Sequence, residues 1–106
     1  MRIKRMYNIL MKFVWKESKR DLVIKKRGID LAKIVDVFDD SFAVYFEDYE
    51  HSTDEEIRFE VIGQSRFYGL LHVVFSYPDE NAIFLVTARR AENWMVKEYE
   101  ENRKRL

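Results

Sequence analysis

Two adjacent arginines, Arg89 and Arg90, close the apolar run Ala82-Ile83-Phe84-Leu85-Val86-Thr87-Ala88 and lead straight into Ala91-Glu92-Asn93-Trp94-Met95. An apolar run of strand length that gives way to 3.6-residue spacing reads as a strand feeding a helix. Guanidiniums fixed at a strand end, beside the unpaired N–H groups of a helix's first turn, make an anion site, and phosphate is the natural anion. The competing reading is that both arginines pair with carboxylates elsewhere in the chain. A second set supplies a base: Glu56 and Arg58 share one face of an alternating strand, and Lys19, Lys26 and Arg27 lie on the first helix. Such a set can cleave RNA without a metal. The ribose 2′-OH attacks its own phosphate, a carboxylate takes the proton, and guanidiniums stabilise the charge that develops on phosphorus. In that chemistry Glu56, Arg58, Arg89 and Arg90 are catalytic and Lys19, Lys26 and Arg27 contact RNA.

Other chemistries find little support. His51 in a loop and His72 inside a strand are too few and too poorly spaced for a metal site, and there is no cysteine. No glycine-rich phosphate loop and no Ser or Cys nucleophile motif occurs, so no cofactor is expected. His72, in an apolar strand, reads as a core or surface residue rather than a base.

The elements that must position these groups follow from the pattern. Residues 1–12 read as an extension of uncertain structure and 13–106 as one domain, a size that supports one modest core, in which Phe13-Val14-Trp15 is an edge strand or an anchor for the helix that follows. Lys16 to Arg27 is a helix whose basic last turn complements its dipole and which Gly28 ends. Asp30 caps a second helix, with Leu31, Ile34, Val35 and Phe38 as its buried stripe. Four strands follow, joined as an antiparallel meander: Ala43–Phe46, Glu56–Ile62, Leu70–Tyr77 and the run from Ala82. An acidic loop, Glu47 to Glu55, separates the first two. A final helix from Glu92 turns Trp94, Met95 and Tyr99 toward the sheet. The expected architecture is α+β, with two N-terminal helices, about four antiparallel strands and a C-terminal helix. Phe75, Val73 and Leu85 join the predicted core.

Net charge is zero, but residues 1–27 carry a local +8, residues 28–60 a local −9 and residues 61–106 a local +1. That segregation can build a basic face and an acidic face, or the two blocks can neutralise each other. The absence of cysteine fits a reducing compartment. No apolar run reaches membrane-spanning length, so no membrane partner is expected and the cytoplasm is the default.

The order of elements and residues resembles the BrnT-like toxins of bacterial type II toxin–antitoxin systems. The likeness rests on Phe13-x-Trp15, Lys19, Lys26-x-Gly28-Ile29, Val37-Phe38-x-Asp40, Glu55-Glu56-x-Arg58-Phe59-x-x-Ile62-Gly63, Thr87-Ala88-Arg89-Arg90-Ala91 and Tyr99. The resemblance implies a RelE-like ribonuclease fold and inhibition of translation by RNA cleavage. It also implies a ribbon-helix-helix antitoxin as partner, with operator DNA bound only through the complex. The chain departs from the family pattern at Lys16, Val23, Arg27, Phe84 and Met95. Several of these replace polar groups suited to acid–base work, which leaves a second reading open: a non-catalytic homologue that binds protein or RNA.

Overall fold

The computed structural model describes residues 11–105. Five strands form one sheet: β1 (Lys12–Val14), β2 (Val44–Asp48), β3 (Arg58–Ser65), β4 (Gly69–Asp79) and β5 (Ala82–Arg90). Their order across the sheet is β1-β5-β4-β3-β2. The antiparallel meander β2 to β5 is as expected, but the sheet is mixed and has five strands. The short segment Lys12–Val14 lies parallel on the edge of β5, with Phe13 opposite Ile83. Residues 1–10 lie outside the described residues; Met11 is buried with the core.

Helix α1 (Glu17–Arg27) ends in Gly28, whose φ of 68° is the left-handed conformation that glycine adopts without cost. A bidentate ion pair ties α1 to the next element, with Arg20 Nε and Nη2 donating to Asp30 Oδ1 and Oδ2 at 2.7 and 3.0 Å. Asp30 Oδ1 also caps Ala32 N at 2.9 Å. This pairing holds the Asp30 carboxyl below its ordinary range.

The second α-helix expected after Asp30 is instead two 3₁₀ turns, η1 (Leu31–Lys33) and η2 (Val35–Asp39). The reason is visible in the side chains. Ile34, Val35 and Val37 are β-branched, and the residues with no exposed surface, Leu31, Ile34 and Val37, recur every third position, the 3₁₀ period, with Phe38 buried beside them. Val35, expected in the stripe, is only half-buried.

Each face of the sheet has its own apolar cluster. On the first face α1, η1 and η2 pack through Val23, Ile29, Leu31, Ile34, Val37 and Phe38 onto Val61, Leu71, Val73, Phe75, Ile83 and Leu85. Gly63 makes the closest approach there, since an added Cβ would lie 2.7 Å from Val37 Cγ1. On the second face helix α2 (Asn93–Arg105) sets Met95 and Tyr99 on Ile62, Val44, Phe46 and Leu70. Tyr99 Oη donates to Asp40 Oδ2 at 2.7 Å, and the same carboxylate accepts from Phe42 N and Gln64 N. Burial and this carboxylate push the Tyr99 hydroxyl pKa up. Trp94, expected in the core, is 51% exposed, because the helix places it about 100° around from Met95.

Candidate functional site

Helix α2 covers only the β2–β3 half of the second face. The remainder is an uncovered shelf on β4 and β5, where Val74, Phe84 and Thr87 stay half-exposed. Strand alternation decides what points onto it. Leu71, Val73 and Phe75 belong to the first face, so His72, Val74 and Ser76 belong to the shelf. Register then adds Arg58 opposite Ser76 and Arg89 opposite His72.

Two polar groupings sit on this shelf. At one end Arg58 Nε donates to Glu56 Oε1 at 3.0 Å and Ser76 Oγ donates to Glu56 Oε2 at 3.2 Å. Arg58 is the main cause of a depressed Glu56 pKa, with Ser76 and the charge of Lys16 acting in the same direction. The carboxylate is therefore ionised at neutral pH and weakly basic. A cavity of about 560 Å³ opens here between Glu55, Glu56, Ile57, Phe59, Ser76, Tyr77, Pro78 and Phe84. At the other end Glu60 Oε1 meets His72 Nε2, and Arg89 Nε donates to His72 Nδ1 at 3.4 Å. Arg89 Nη2 lies 3.1 Å from Glu92 Oε2 at the start of α2.

Arg58 lies opposite Ser76 in register and is joined to it through Glu56, while Arg89 bonds directly to His72. Four residues of strand put Ser76 and His72 roughly 13 Å apart along β4.

Arg90 points to the opposite face. Its Nη1 donates to the carbonyl of Arg27 at 3.0 Å, and its guanidinium lies 6.0 Å from the Tyr68 ring centroid. Arg27 returns the contact by donating from Nη1 to Thr87 Oγ1 and to the Ala88 carbonyl, at 3.2 and 3.1 Å. β1 pairs only with Ala82–Phe84, so Arg27 caps the edge of β5 beyond it. Lys19 is half-buried and Lys26 exposed on α1, and neither ammonium forms an ion pair among the described residues.

The structure thus brings Glu56, Arg58 and Arg89 onto one surface, sets Arg27 at its edge, and places Arg90 with α1. Lys16, Glu60, His72 and Ser76 complete the surface and were not singled out from the sequence. For Glu60, His72 and Ser76 parity was the available signal, since Arg58 and Glu60 alternate on β3 as His72, Val74 and Ser76 do on β4. The acidic segment also differs from expectation. Glu47 and Asp48 lie in β2, and Asp48 is buried, its carboxylate accepting from His51 N at 3.3 Å and lying 2.9 Å from His51 Nδ1. Among the described residues no group of three His, Cys, Asp or Glu is arranged to hold a metal. None of the described helices is long and apolar enough to cross a membrane.

The molecule is thus a small α+β domain with one half-open sheet face lined by paired carboxylates and guanidiniums. The model of the family described as ribonuclease toxin, BrnT, of type II toxin–antitoxin system matches residues 15–93. The chain belongs to that family, whose systems pair each toxin with an antitoxin. It is also similar to the ribonuclease toxin BrnT of Brucella abortus, known from a crystal structure, at 26% identity and a TM-score of 0.61. That match covers 78% of this chain and 99% of the Brucella chain. No curated protein matches.

Proposed function

We propose that this chain is a metal-independent endoribonuclease toxin that inhibits translation by cutting RNA in the cytoplasm. We further propose that a ribbon-helix-helix antitoxin holds it in check, and that operator DNA is bound only through that complex. The observation that carries the catalytic reading is the shelf, which gathers Glu56, Arg58 and Arg89 on the half of the sheet that α2 leaves open. The scissile phosphate sits beside Arg58, where Glu56 takes the 2′-OH proton and the guanidinium offsets the phosphorane charge; the P–O5′ bond then breaks, and the 5′-oxygen leaves with a proton from water. Arg89 holds a phosphate further along the strand. Lys16, Lys19 and Lys26 draw the polyanion in, and Arg27 and Arg90 brace α1 against β5 at its rim.

The test is purified protein incubated with RNA in the presence of a chelator. Wild type yields fragments with 2′,3′-cyclic phosphate ends. Glu56→Gln lowers kcat by about 10²-fold or more, the scale expected when a general base is lost. Unchanged cleavage by folded Glu56→Gln removes it from the mechanism. The second reading, a non-catalytic binding protein, has one observation in its favour: both Glu56 oxygens are already engaged. RNA binding by wild type without cleavage decides for it.

A further inference from the structure

From the row Glu60, His72, Arg89 we infer that His72, held by Glu60, is a positioning residue that aims Arg89 at RNA phosphate. The inference rests on the proposed function and extends it to two residues that otherwise have no part in it.

His72 lies on the shelf side of β4, yet is only 7% exposed and is flanked by Leu70, Leu71, Val73 and Val74. Both of its ring nitrogens are occupied, Nε2 by Glu60 Oε1 and Nδ1 by the Nε–H of Arg89. A guanidinium has only donors, so Nδ1 must be the unprotonated nitrogen and Nε2 carries the hydrogen that Glu60 accepts. The row is thus a directed chain from the Glu60 carboxylate through neutral His72 to the guanidinium. A ring with both nitrogens engaged has none left to take a proton from substrate, so His72 acts through Arg89.

What the row does for Arg89 is fix one side of a flexible side chain. Nε is tied to His72 and Nη2 to Glu92, which leaves Nη1 without a side-chain partner among the described residues. Glu92 is half-exposed and lies at the start of α2, so an incoming phosphate can take its place on the guanidinium fork. His72 is buried and stays. Part of the freedom that Arg89 would lose when RNA binds is thereby already removed in the free protein.

The structural alternative is that Glu60 and His72 only stabilise the sheet, and the variants separate the two. Glu60→Leu together with His72→Val leaves no buried charge unpaired, so the fold survives. In that variant KM for RNA, and the Kd for a 2′-deoxy-substituted oligonucleotide that cannot be cut, rise about tenfold while kcat is unchanged. His72→Gln, whose amide can accept from Arg89 and donate to Glu60, restores both. In an Arg89→Ala background the Glu60/His72 substitutions add nothing. Nitrogen NMR of wild type shows His72 protonated at Nε2 and not at Nδ1.

A protonated Nδ1 in the free protein overturns the inference, as does a folded Glu60→Leu/His72→Val variant that binds the oligonucleotide like wild type. Loss of binding that persists in the Arg89→Ala background overturns it too. If wild type binds the oligonucleotide but cuts no RNA, the nuclease reading fails while the binding and NMR measurements still decide the role of His72.

Discussion

Replacing Gly63 by alanine tests the packing that holds the shelf in place. The backbone at Gly63 has no positive φ, so the alanine backbone fits, and on that ground alone the change stabilises by about 0.4–1 kcal/mol through the unfolded chain. The added methyl meets a wall, however. It would lie 2.7 Å from Val37 Cγ1 and 3.1 Å from the Val37 carbonyl oxygen, with Ala43 Cβ at 3.5 Å. Val37 is fully buried and β-branched, so it has no rotamer to retreat into. Overpacking of this kind costs about 1–3 kcal/mol, and the middle of that range less the middle of the gain leaves a net loss of about 1 kcal/mol. For a domain of this size that lowers Tm by about 4–8 °C. Thermal melts followed by circular dichroism read it directly. The double variant Val37→Ala/Gly63→Ala should be more stable than the sum of the two single losses, because removal of Cγ1 opens the space the methyl needs. A Gly63→Ala protein as stable as wild type would refute the close approach of η2 to β3.

Three further outcomes follow from the site. Arg90→Ala lowers Tm, because it frees the carbonyl end of α1, whereas Arg89→Ala leaves Tm near wild type and raises KM for RNA; the reverse pattern in melts and kinetics would exchange their roles. Asp30→Asn keeps an N-cap acceptor but loses the charge pairing with Arg20, so wild type melts higher at neutral pH. Because pairing depresses the folded carboxyl below its ordinary 3.8, that advantage is complete above this value and fades as pH falls through the folded pKa, a trend that melts across an acid series will show. Against the cognate antitoxin, Arg89→Glu weakens binding by more than tenfold in calorimetric titration, and Glu50→Lys on the exposed acidic turn changes it little. Greater loss from Glu50→Lys would place the partner on the acidic side. Asp48 is unsuited as that control, since it is buried in β2.

The α+β arrangement was legible because its signals are local. Apolar runs gave the four meander strands, Gly28 gave the end of α1, and Asp30 gave the cap. Non-local pairing left no such mark. Lys12–Val14 finds β5 across the whole length of the domain, and three residues carry too short a pattern to announce a parallel partner. Val35 was misplaced because an α period was applied to a segment whose β-branched residues settle into 3₁₀ turns. Trp94 was placed in the core by its size, although Met95 and Tyr99 already fill the stripe that α2 can bury. In the site, Glu56 and Arg58 were readable as a pair on one side of the chain, although β3 begins only at Arg58. The Glu60–His72 contact was not, because it joins diagonal positions on two strands and shows only once register is fixed. Arg89 and Arg90 looked like one cluster in the sequence, but the alternation that reads a strand also sends neighbours to opposite faces.

The parallel seam between β1 and β5 has a consequence for the order of events as the chain is made. Val14 must wait for Phe84, and Arg27 for Thr87 and Ala88, before either has its partner. Contacts so distant along the chain close late and slow the search, since the loop entropy is lost before the contact forms. α1 therefore has no sheet edge to rest on until the last strand has left the ribosome, and the same strand delivers Arg89 to the shelf. Core closure and completion of the shelf both need β5, and a nascent chain short of it carries neither.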